Sequence, residues 1–78
     1  MTLRANYTKG LENLGYRLDI RQTSKKYLIL VKHGASPTYF FLGKAGSVRY
    51  GSIKRVDASV SATELTKQRL IGMALIGP

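Results

Sequence analysis

Residues Leu11–Gly34, LENLGYRLDIRQTSKKYLILVKHG, change their hydrophobic period part-way along. Up to Leu14 the apolar positions Leu3, Tyr7, Leu11 and Leu14 recur at helical spacing. Beyond Gly15 the period drops to two: Tyr16, Leu18, Ile20 and Gln22 alternate with Arg17, Asp19, Arg21 and Thr23, as in a half-buried strand. A helix that hands over to a sheet at a glycine sets the fold. Thr2 supplies an N-cap for that helix and Gly15 a C-terminal stop. Gly10 inside it costs about 1 kcal/mol relative to alanine, so the helix depends on packing.

Outward from this stretch, TSKK (23–26) reads as a turn and YLILVKH (27–33) as a more central strand, apolar on both faces. GASPT is a second turn, where Pro37 excludes a regular strand. YFFL and SVRYGS are two strands joined by GKAG, with Tyr39 and Tyr50 expected to pair across the hairpin. Ser61 and Glu64 have the spacing of a capping box and open a second helix to about Ile76. On that helix Ala62, Leu65, Leu70, Met73 and Ile76 form an apolar stripe interrupted by Arg69, while Ile71 and Leu75 fall on the opposite side. A helix apolar on two sides is deeply buried or meets a partner, which makes Ile71 and Leu75 candidate contacts for a homodimer or another protein.

Seventy-eight residues without a cysteine make one domain, 1–78, with a single small core and no disulfide to brace it. A hydrophobic content of 44% is that of a globular chain. The longest apolar run, YLILV, is too short to span a bilayer, and no signal-peptide pattern opens the chain, so a cytoplasmic protein without membrane contact is expected.

Charge is the most informative property. Thirteen Lys and Arg against four Asp and Glu give a net charge of +9. Between Asp19 and Asp57 there is no acid, while Arg21, Lys25, Lys26, Lys32, Lys44, Arg49, Lys54 and Arg55 fall in that interval. Such a field attracts polyanions, and these eight residues are the candidate phosphate contacts for DNA or RNA. Lys44, Arg49, Lys54 and Arg55 belong to the hairpin stretch YFFLGKAGSVRYGSIKR and are expected to form one cationic ridge. An acidic protein surface is the alternative partner. Small, basic, cysteine-free chains are common on phages and mobile elements, which is the compositional expectation for origin.

Catalysis has few parts to draw on. His33 is the single histidine, and Glu12, Asp19, Asp57 and Glu64 are spread along the chain. An exposed His33 at a strand end is expected to meet phosphate or nothing, so a non-enzymatic protein with no cofactor and no metal site is predicted. GKAGS lacks the full P-loop pattern and both its flanks read as strands, not strand and helix. With eight glycines in the chain, the G-x-x-G of Gly43–Gly46 carries no information by itself. Exposed tyrosines on strands either cover the core or stack on unpaired bases.

The order helix–strand–strand–strand–helix, with the cadence of Leu11–Gly34, resembles the double-stranded-RNA-binding domain and its small relatives, including the HicA-type toxins. The resemblance implies an αβββα architecture. HicA-type toxins share a catalytic histidine at the turn between the first two strands, where this chain has Thr23-Ser24-Lys25-Lys26. The RNA-binding family carries a lysine cluster at the start of its last helix, where this chain has Ser61-Ala62-Thr63-Glu64. The expected fold is therefore α+β, a three- or four-stranded antiparallel sheet packed against two terminal helices.

Overall fold

The computed structural model describes residues 2–19 and 26–76. Helix α1 (Leu3–Asn13) starts at Thr2, whose hydroxyl accepts the Ala5 N–H at 3.1 Å. It ends where expected. Gly15, at φ +96°, donates to the Glu12 carbonyl, and Tyr16 donates to the Leu11 carbonyl. This pair of bonds satisfies the last-turn carbonyls and turns the chain into the sheet, while Tyr16 and Leu11 meet in the core.

Five strands follow: β1 (Arg17–Leu18), β2 (Tyr27–Lys32), β3 (Thr38–Gly43), β4 (Val48–Gly51) and β5 (Val60–Ser61). They form an antiparallel meander in sequence order. A one-turn 3-10 helix, Val56–Ala58, lies between β4 and β5, and α2 (Glu64–Ile76) completes the chain. The architecture is α+β as expected. Among the described residues the sheet has five strands, one more than the upper expectation, because Val60 and Ser61 add an edge strand opposite Tyr50 and Arg49. Of the strand expected from Tyr16 to Thr23, Arg17 and Leu18 pair with Val31 and Leu30 and are exposed, while its end and most of the expected turn, residues 20–25, lie outside the described residues.

Both helices cover the same face of the sheet. There Leu30, Phe40, Leu42 and Val48 pack with Tyr7, Leu11, Ala62 and Leu70, and Tyr16, Leu28, Tyr50 and Ile71 close the margins. Fully burying each such side chain stabilises the fold by roughly 1.5–3 kcal/mol. The helices run in the same direction: Gly10 meets the Leu70 backbone, and a turn further on the Asn13 amide donates to the Met73 carbonyl at 2.8 Å. A Cβ at position 10 would overlap the Leu70 carbonyl oxygen and lie 2.9 Å from its carbon. The glycine is thus the condition for close helix packing.

Two local expectations change. The rings that pair across the hairpin are Phe40 and Tyr50, stacked at 5.5 Å, because the register sets Tyr39 opposite Gly51. A one-residue offset exchanges the two faces of a strand, so Tyr39 and Tyr50 point to opposite sides. The cap of α2 is Thr63, whose hydroxyl accepts the Thr66 N–H, and not Ser61, which lies in β5.

The face without helices carries Ile29, Val31 and Phe41, all buried. Residues 52–58 form a strap across it. Lys54, just past β4, reaches Asp19 beyond β1 at the opposite edge, with 2.6 Å between the charged atoms. The strap returns close to the sheet at Gly51, where the Ser59 backbone comes within ordinary contact distance, 3.4 Å, of a Cβ built there.

Candidate nucleic-acid interface

The β3–β4 connection is a three-residue loop, Lys44-Ala45-Gly46. Gly46 at φ +91° donates to the Gly43 carbonyl, and Gly43 donates to the Ser47 carbonyl. This is a type I turn followed by a left-handed glycine, a common hairpin closure. Lys44 is exposed at its tip with no protein partner among the described residues.

The rest of the expected ridge is engaged inside the protein. The Arg49 guanidinium donates to the Ser59 hydroxyl at 2.8 Å, to the Ser59 carbonyl and to the Ser61 hydroxyl at 3.0 Å, tying the end of the strap and β5 to β4. Lys54 is paired with Asp19. Arg55 pairs with Asp57 at 2.8 Å; hydrogen bonding between them raises the Arg55 pKa and lowers that of Asp57. Both groups are exposed, so this pair adds little to stability. Lys32 donates to the Leu14 carbonyl at 3.1 Å and lies 6.0 Å from the Tyr16 ring centre. Arg21 and Lys25 lie outside the described residues.

Two concave sites remain at opposite ends of the helix-free face. The larger, about 680 Å³, lies between β1, the ends of β2 and β3, and the strap. Val31, Tyr39, Arg17, His33, Asp19 and Lys54 line it, with Lys32 at the margin. Period two along β1 puts Arg17 and Asp19 on this same side. Arg17 Nη1 donates to the carbonyls of Tyr16 and Glu12, and its Nε and Nη2 have no protein partner among the described residues. The His33 imidazole is exposed and likewise without a partner among them.

The smaller site, about 340 Å³, is made by the register Tyr27↔Gly43, which brings Lys26 beside the Lys44 loop. Tyr27 and Ser47 complete it, with the Tyr27 ring held edge-on against Phe41, 6.5 Å between centres. Among its lining residues there is no carboxylate.

The chain matches no family model, no curated protein and no solved structure. The arrangement of its own side chains therefore carries the functional reading. Lys26, Lys44, Lys32 and Lys54 come to the two sites, while Arg49 is held under the strap. Arg17 is the site residue that charge counting passed over. The alternation of β1 put it on a face with Asp19, but which face the helices leave uncovered is a tertiary fact. Among the described residues no three His, Asp or Glu side chains converge, and no helix is long and apolar enough to cross a membrane.

The candidate partner contacts separate. Ile71 is half-buried against the core, whereas Leu75 is 84% exposed, with Ile76 at 75% and Leu65 at 71%. Beside them an apolar groove of about 370 Å³ opens between α2 and the sheet, lined by Leu14, Tyr16, Phe40, Leu70, Met73 and Ile76, with Arg69 also on its wall.

Proposed function

We propose that this protein binds nucleic acid through phosphate contacts and performs no reaction on it. The observation that carries the reading is the pairing of basic groups with a tyrosine in each of the two concave sites of the helix-free face: Arg17, His33 and Lys54 around Tyr39, and Lys26 and Lys44 beside Tyr27. The one carboxylate in either site, Asp19, is in an ion pair with Lys54. The overall charge of +9 supports it by drawing polyanions toward the surface. His33 has no orienting partner among the described residues, which favours binding over acid–base chemistry. The topological likeness to double-stranded-RNA-binding modules agrees with a nucleic-acid ligand but does not choose its form.

Fluorescence anisotropy against labelled DNA and RNA, over a salt series from about 50 to 200 mM, tests the proposal. Affinity should fall steeply as counterions are released. Weak binding to every form, or a flat salt dependence, overturns it.

The apolar groove favours one other reading, a module that docks an acidic protein. Leu75→Asp with Ile76→Asp separates the two. Loss of self-association or partner binding with nucleic-acid affinity intact identifies the exposed apolar end of α2, beside the groove, as the working surface. Ile71 is left unchanged in that test because it supports the core.

A further inference from the structure

We infer that the larger cleft holds an unpaired nucleotide, with its base on the Tyr39 ring and its phosphate against Arg17 and His33; this rests on the nucleic-acid reading above. The volume of about 680 Å³ lies within the 300–1,000 Å³ of sites that enclose small ligands. Its floor is apolar and firmly held. Val31 is 7% exposed and pairs directly with Tyr39 in the β2–β3 register. Tyr39 is half-buried, lies outside the helix-facing core, and makes no hydrogen bond among the described residues. An aromatic ring fixed on a strand, with one side toward a cleft, is a platform for a base.

The cations stand where the phosphate of such a nucleotide must go. Arg17 lines this cleft and a hollow beside Glu12 and Lys9; its Nη1 is anchored on backbone carbonyls, and its Nε and Nη2, without a partner among the described residues, form a fork suited to an anion. Exposed His33 follows β2 on the same wall. Lys54, positioned by Asp19, closes the strap side and adds a donor toward the sugar or a second phosphate.

Duplexes are excluded from this cleft by shape. Their phosphates lie on the outside of a rod and their base faces are covered by stacked neighbours, so no ring face reaches Tyr39 in a recess of this size. An unpaired strand presents base and phosphate together. The smaller site with Tyr27, Lys26 and Lys44, at the other end of the same face, then meets a further phosphate of the strand.

The test compares a single strand and a duplex carrying equal numbers of phosphates, by anisotropy at one salt concentration. The proteins are wild type, Tyr39→Leu and Tyr39→Trp, with thermal melts as a folding control. Wild type should prefer the single strand. Tyr39→Leu should weaken single-strand binding roughly tenfold and leave duplex binding unchanged. The chain has no tryptophan, so Tyr39→Trp supplies a lone reporter whose fluorescence a stacked base should quench. Equal loss for both ligands, no loss for either, or an indole emission that the single strand leaves unquenched overturns the inference. If wild type still binds with a steep salt dependence in those cases, the nucleic-acid reading survives and the cleft assignment fails. If wild type binds neither ligand, both fail.

Discussion

Gly10 and Tyr7 sit on the same helix and answer to different neighbours. At Gly10, helix propensity and packing oppose each other. Alanine would gain about 1 kcal/mol of propensity, but its Cβ would enter the Leu70 carbonyl. Backbone cannot yield as a side chain can, and overpacking costs about 1–3 kcal/mol. Gly10→Ala is therefore expected to lower stability by up to about 2 kcal/mol net, read as a lower urea midpoint with unchanged slope. Tyr7 is 4% exposed, and burial, with the charge of Glu64 adding to it, raises its hydroxyl pKa above the ordinary value of 10.0. The unfolded chain loses this proton first, so stability falls as pH rises past about 10. Tyr7→Phe should flatten the alkaline limb of a Tm-versus-pH curve relative to wild type; an unchanged limb would remove Tyr7 as its source.

At the scale of elements, the start of α2 separates sequence pattern from geometry. Ser61-x-x-Glu64 has the spacing of a capping box, yet Ser61 pairs in β5 and accepts from Arg49, and Thr63 does the capping. Thr63→Ala should cost about 1 kcal/mol and reduce helicity at the start of α2. Ser61→Ala should leave the helix signal intact and instead loosen the strap, visible as faster amide exchange in residues 52–59. The opposite assignment of those two effects would restore the capping box. Propensity rules locate a helix start to within a few residues. A short edge strand decided by β4 overrides them here.

For the molecule as a whole, the distribution of charge over the surface matters more than its sum. Among the eight cations expected to contact phosphate, Arg49 is committed to serines of the strap end and β5, and Lys54 and Arg55 face carboxylates. Lys26 and Lys44 meet at an end of the sheet where no lining residue is acidic. Replacing both with alanine should reduce the salt slope of nucleic-acid binding by about 1.5, near 0.7–0.9 per phosphate contact. An unchanged slope would place the ligand elsewhere.

What was legible in the sequence was everything governed by short range. The end of the first helix at Gly15, the Thr2 cap, the hairpin closed by glycines and the break at Pro37 each depend on residues a few positions apart, and each stands in the structure; of the period-two strand beyond Gly15, Arg17 and Leu18 pair in the sheet. The α+β class follows from their order. Tertiary structure alone decided the rest. Phe40 rather than Tyr39 faces Tyr50 because register is a relation between strands. Arg17 shares a cleft with Lys54, far along the chain, because the strap crosses the sheet. Gly10 proved necessary only once Leu70 lay against it. Side-chain charge is written in each residue, but its partners are set by burial and register, which contacts across the whole chain determine.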